Sequence, residues 1–203
     1  MGNPLASLKR LGVVLKNKDF VLLLATFSLV GMAGMAFISS SSYVYEVTFG
    51  LSSQTYSYFF ALFGAGIAAG APTYLLLSRW LERRTILTGC FITCAISGVL
   101  VLFVGHLGPW HFILTYLPTA VSLACIRPPS TYLMLGQHEA DAGSVSGIIL
   151  ATSMVLGSVA TAVVSLQVWN RVEFIGALIV GLALVSLALW LGPCRPREAA
   201  RAR

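Results

Sequence analysis

Charge is scarce in this chain. Of its 203 residues 10% are charged and 57% are hydrophobic, whereas a water-soluble domain carries about 25% charge. So few charges cannot coat a surface that faces water, which excludes a soluble globular domain and leaves lipid as the solvent. The acids are scarcer still. Asp19, Glu46, Glu82, Glu139, Asp141, Glu173 and Glu198 are the whole set, and each lies in a link or near the end of an apolar run. No carboxylate stands in the middle of one.

Other chemistries are missing too. The cysteines are Cys90, Cys94, Cys125 and Cys194, and all but Cys194 fall inside apolar runs, which speaks against a disulfide framework. Cys90 and Cys94 share a helix face, but two thiols make a poor metal site. His106 and His111 lie in or beside one link and His138 in another on the opposite side, so no metal is expected. The first 19 residues carry Lys9, Arg10, Lys16 and Lys18 and no long apolar core, unlike a secretory signal. "MGNPLAS" has Ala6 where myristoylation needs Ser or Thr. "GSVSG", residues 143–147, has Val145 where a nucleophile elbow needs serine. An intramembrane serine protease would pair Ser146-Gly147 with a glycine at 144 and a histidine in a later span. Position 144 is serine, and no histidine follows His138. Neither a catalytic residue nor a cofactor is expected.

What the chain does have is six long apolar runs, at about 20–42, 55–78, 85–105, 111–135, 143–166 and 171–192. Roughly 20 apolar residues cross a bilayer as a helix. These runs are apolar nearly all round, where a soluble bundle would show a polar stripe, and their length requires helices rather than barrel strands. The expected fold is an all-α membrane protein with six transmembrane helices. Residues 1–19 form a leader in which Leu5, Leu8, Leu11 and Leu15 suit either a surface amphipathic helix or a solvated linker. Residues 193–203 form a basic tail.

Basic residues set the topology. The leader holds four. The link after the second run holds Arg79, Arg83 and Arg84, and the tail holds Arg195, Arg197, Arg201 and Arg203. All of these fall on one side when six helices are threaded alternately; the other side has only Arg171. The positive-inside rule then puts both termini in the cytoplasm. The net charge of +6 is a topology signal and not a nucleic-acid footprint. The link "GQHEADA", residues 136–142, lacks Lys and Arg without overturning the tally. On the outer side, Tyr43, Tyr45, Tyr56 and Tyr58 suit an interfacial aromatic belt, with Trp110, His111 and Trp169 at the same level. The serines of "FISSSSY" are expected to end the first helix, their hydroxyls bonding back to freed carbonyls.

Three further patterns stand out. Gly66 and Gly70 in the second run, and Gly143, Gly147 and Ala151 in the fifth, form small-residue faces that let helices approach closely in lipid. In "LPTAVSLACIRPPSTYLML", Pro128 and Pro129 remove two backbone donors and point to a broken helix, which membranes tolerate inside protein or beside a watery cavity. Arg127 costs about 2.5–3.5 kcal/mol at a helix centre on insertion scales; it either snorkels to the cytoplasmic interface or meets an acid or an anionic group. In "SRWLERRT", Arg79, Glu82, Arg83 and Arg84 either anchor the link or lock neighbouring helix ends as a cytoplasmic gate.

Taken together, "FISSSSYVYEVTFGLSSQTYSYFFAL" resembles the start of the second half of drug-efflux transporters of the major facilitator superfamily. The resemblance is strongest to the bicyclomycin- and chloramphenicol-resistance branch. It rests on Phe37, Ser39, Ser41, Tyr43, Val44, Tyr45, Gly50, Leu51, Ser52, Tyr56 and Ser57. "LKRLGVVLKNKDF" is similar to that family's connection between halves, and "ADAGSVSGII" to the start of its eleventh span. Ser42 replaces the usual proline, and Arg127-Pro128-Pro129 departs from the branch's Pro-Asn pattern.

The resemblance implies a C-terminal six-span half built as a three-plus-three inverted repeat. It implies alternating-access export of small amphipathic drug-like substrates in exchange for protons. The half would sit in the lipid bilayer of the cell inner membrane and work with a second six-span half or as a homodimer. The half carrying the usual coupling carboxylate would lie outside this chain, leaving Glu46 and Asp141 as candidate proton sites. Phe37, Ser41, Tyr45, Tyr56, Phe60, Phe63, Arg127 and Ser130 are the expected substrate-cavity residues, since aromatic and hydroxyl groups suit amphipathic drugs. A split or truncated product without transport of its own is the alternative.

Overall fold

The computed structural model describes residues 15–137, 142–166 and 170–192. Most of the leader, Asp141 and the basic tail lie outside the described residues, as does Trp169.

Six helices carry the chain. Helix α1 spans Lys18–Tyr43, and Asn17 caps it by accepting from the Asp19 and Phe20 amides. Helix α2 spans Ser53–Leu77, capped by the Ser52 hydroxyl, which accepts from the Thr55 amide. Helices α3 (Arg83–Val104) and α4 (Pro109–Leu135) follow. Helix α5 spans Ala142–Ser165, and α6 spans Arg171–Leu191 with Asn170 as its cap. All six are long and apolar enough to cross a membrane.

The serines fill the last turn of α1 and bond back along it. Ser39 and Ser40 donate back to the Ala36 carbonyl, and Ser41 donates to that of Ile38. Such i−3 and i−4 bonds satisfy the hydroxyls within the helix, by sharing carbonyls with its backbone ladder. The helix runs on to Tyr43 and continues as a π-helical turn, Val44–Thr48. Gly50 then reverses the chain at φ 66°, a left-handed conformation that costs glycine little. The expected break in α4 is corrected: Pro118, Pro128 and Pro129 all lie within one continuous helix.

The packing is a repeat. Helices α1 and α4 pack against each other at the centre, α3 packs on α4 and on α6, and α6 packs on α1. Helix α2 flanks α4, and α5 flanks α1. Exchanging α1 with α4, α2 with α5 and α3 with α6 leaves this pattern unchanged. The register follows suit. Ser41-Ser42-Tyr43 closes α1 and Ser130-Thr131-Tyr132 lies in the last turns of α4, 89 positions on. In both triplets the serine is buried and the next two residues are exposed. Ser130 donates to the Arg127 carbonyl as Ser41 does to that of Ile38. Three spans is an odd number, so the second copy enters from the opposite face. This is the three-plus-three inverted arrangement expected of half a major facilitator fold.

Glycine sets the close crossings. A Cβ on Gly98 would lie 2.9 Å from the Val180 amide nitrogen, and one on Gly176 would lie 2.6 Å from that of Leu102. The two glycines thus seat α3 and α6 backbone to backbone. Gly66 and Gly70 face Leu117, Ala120, Val121 and Ala124 of α4, as close-packing faces should. Gly143 and Gly147 do not: a Cβ on either would meet nothing within 4 Å. That face of α5 is open.

Candidate functional site

The α1–α2–α4 interface is filled by rings toward the α1 C-terminus. Phe37 stacks on Tyr116 with centroids 4.1 Å apart and on Phe112 at 5.6 Å, and lies 4.7 Å from Phe63. Tyr45 stacks on Phe59 at 4.8 Å and approaches Tyr56 at 5.8 Å. Phe60 bridges Tyr56 and Phe63, 5.7 Å from each. Offset and tilted pairs at these spacings add about 0.5–1.5 kcal/mol each beyond area burial. The polar atoms among them are few. Ser41 Oγ and Tyr56 Oη share a hydrogen bond of 3.0 Å, and the Tyr116 hydroxyl donates to the Ala33 carbonyl.

The expected cavity residues therefore divide. Phe37, Tyr45 and Phe63 are buried inside the bundle, as are Ser41 and Ser130. Tyr56 is half-buried, while Phe60 and Arg127 reach the surface. Tyr45 does not belong to an outer belt; it is fully enclosed, and its hydroxyl has no partner among the described residues. The π-helical turn turns this side chain inward, a displacement no simple helical period reveals. Tyr43, Tyr58 and Trp110 are exposed, as a belt requires.

Of the expected gate residues, Arg79 and Glu82 lie in the link between α2 and α3, and Arg83 and Arg84 open α3. Arg79, Glu82 and Arg83 are exposed and Arg84 is half-buried. Glu82 holds the cap position of α3 without a side-chain capping bond. Arg83 lies over the Tyr132 ring of α4 at 4.4 Å. Of the two candidate proton sites, Glu46 is half-buried in the π-helical turn and Asp141 is outside the described residues.

Sequence reasoning missed a ladder between α3 and α4. Thr119 donates to Ser97, and Ser97 donates to the Thr115 carbonyl. Hydroxyl residues inside two apolar runs, Ser97 in the third and Thr119 and Ser122 in the fourth, were the available signal.

The sequence profile of the Major Facilitator Superfamily matches residues 2–162. Together with six spanning helices in a three-plus-three arrangement, this shows that the chain belongs to that superfamily of membrane transporters. It is also similar to YdgK of Bacillus subtilis (strain 168), described as an uncharacterized MFS-type transporter, with 22% identity over 186 residues. The match covers 91% of this chain and 46% of that relative, so the chain spans about half the length of the curated relative it matches.

Proposed function

We propose that this chain is one six-span half of a proton-coupled multidrug efflux protein that exports amphipathic drugs by alternating access. Membership of a transporter superfamily supports the coarse reading. The observation that carries the finer one is the aromatic and hydroxyl cluster, which reaches the surface at Tyr56 and Phe60 on α2. Rings supply stacking area and the Ser41–Tyr56 pair supplies a few oriented polar atoms, the combination amphipathic ligands use.

A second six-span unit, separate or another copy, completes the cavity. Only 17% of the apolar stretch of α2, and the same share of α5, is buried in the bundle, against 56% in α1 and in α4. The open faces of α2 and α5 carry small residues, Gly64 and Gly147 among them, which suit close helix contact in lipid. In this reading both termini are cytoplasmic in the cell inner membrane. Arg79, Glu82, Arg83 and Arg84 form the cytoplasmic gate, and Glu46 or Asp141 takes the proton unless the partner supplies that group.

Chloramphenicol accumulation in cells expressing the chain, with and without a protonophore, tests this. Lower accumulation that the protonophore abolishes is the expected result. Unchanged accumulation despite confirmed membrane insertion would overturn independent export.

A further inference from the structure

We infer that Arg127 is an anion-binding residue, and that the substrates this half handles include amphiphiles carrying a carboxylate or similar oxyanion. The inference rests on the transport reading above and adds the charge of the substrate to it.

Three observations carry it. The first is direction. Leu123 lies against Gly34 of α1, and Ala124 against Gly70 of α2. Arg127 follows four residues after the one and three after the other, so it shares their face of α4. That face looks into the seam between α1 and α2, which make little contact with each other. Arg127 is exposed, so the seam is open at its level.

The second is isolation. Ser130 bonds the Arg127 carbonyl, and among the described residues the guanidinium itself has no hydrogen-bond or ion-pair partner. It stands eight residues before Leu135, about 12 Å along the helix, inside an apolar span. The acids of the chain lie at helix ends or in links. A charge with few local counterions gains strongly from an oxyanion, because a planar guanidinium offers paired donors matched to carboxylate geometry.

The third is the comparison within the chain. The repeat places Ile38 of α1 where α4 has Arg127, and both side chains are exposed. The scaffold does not need an arginine at this position, since its other copy uses an apolar residue.

A lipid phosphate offers the same chemistry as a substrate carboxylate, and the test separates them. The purified chain in phosphatidylcholine nanodiscs is titrated with dansylaminoundecanoic acid and with its neutral carboxamide. The acid is expected to bind about tenfold more tightly than the amide, the scale of one charge-assisted pair. Arg127→Gln should bring that ratio close to one, and Arg127→Lys should retain part of it. A ratio near one in the wild type, a ratio that survives Arg127→Gln, or no binding of either probe would overturn the inference. Loss of the ratio when phosphatidylglycerol is added would assign the site to a lipid headgroup and overturn the substrate reading. The ratio is read without transport, so a chain that exports chloramphenicol yet shows no ratio sinks this inference alone. A chain that shows the ratio but exports nothing sinks the transport reading and leaves Arg127 as an anion site without a transported substrate.

Discussion

The Arg171 guanidinium lies 3.4 Å from the centre of the Tyr43 ring, tying the first residue of α6 to the last residue of α1. Its counterpart in the repeat is Arg83 over Tyr132, which ties the first residue of α3 to the last turn of α4. The two contacts stand on opposite faces of the bundle. Exposed cation–π pairs contribute about 0.5–1 kcal/mol, rising to about 2 when desolvated. A double-mutant cycle with Tyr43→Leu and Arg171→Gln, read by thermal unfolding in detergent, should give a coupling in that range. Additive single effects would mean that the stack contributes nothing.

The α3–α6 crossing should tolerate no side chain. Gly176→Ala places a methyl 2.6 Å from the Leu102 amide and 2.9 Å from the Gly98 carbonyl, and backbone cannot yield as a flexible side chain can. Overpacking of this kind costs about 1–3 kcal/mol, so a lower melting temperature is expected. Gly147→Ala meets nothing within 4 Å and should leave the melting temperature unchanged or raise it. Equal losses at both positions would refute the assignment of the crossing.

Tyr45 offers a sharper contrast. Its ring is packed among Phe49, Tyr56, Phe59 and Phe112, but its hydroxyl is buried without a partner. An unmade hydrogen bond at a buried group costs about 1–3 kcal/mol. Tyr45→Phe removes that cost and keeps the ring, so stability should hold or increase. A marked loss would show that the hydroxyl is bonded in the membrane. Tyr45→Ala removes the ring and should lose about 3–5 kcal/mol, as large aromatic truncations do.

Phe60 is the aromatic whose loss should separate export from folding. It is 38% exposed, so Phe60→Ala leaves little cavity in the bundle. Resistance should fall while membrane levels stay normal. Phe37→Ala, at a fully buried ring, should reduce membrane levels as well. Full resistance in the Phe60 variant would remove that residue from the cavity wall.

Hydropathy made six helices legible, because each span is long and almost free of charge. Which helices touch was not legible. Hairpin links suggest that α2 packs on α1 and α3, yet it packs on α4, since Gly66 and Gly70 accept the α4 surface. Glycine spacing alone did not separate Gly66 and Gly70, which meet a neighbour, from Gly143 and Gly147, which meet none. The π-helical extension beyond the serines of α1 was hidden as well, since no residue type marks such a turn. The repeat escaped sequence reading because few positions keep its register, Thr26 with Thr115, Ser57 with Ser146 and the Ser-Ser-Tyr and Ser-Thr-Tyr triplets among them; elsewhere Ile38 answers to Arg127 and Phe37 to Ile126. The aromatic cluster was partly legible on α1 and α2, but the burial of Tyr45 depended on the π-helical turn.

The inverted repeat has a consequence for how this molecule meets its surroundings. Once the bundle spans a bilayer, two copies of one contact bathe in different solutions. Salt or a guanidinium competitor added to a single compartment reaches Arg171 on Tyr43 or Arg83 on Tyr132, but not both. A scaffold whose halves are alike in packing thereby becomes unlike in exposure, and the difference between its two sides is imposed by the membrane and not written into the fold.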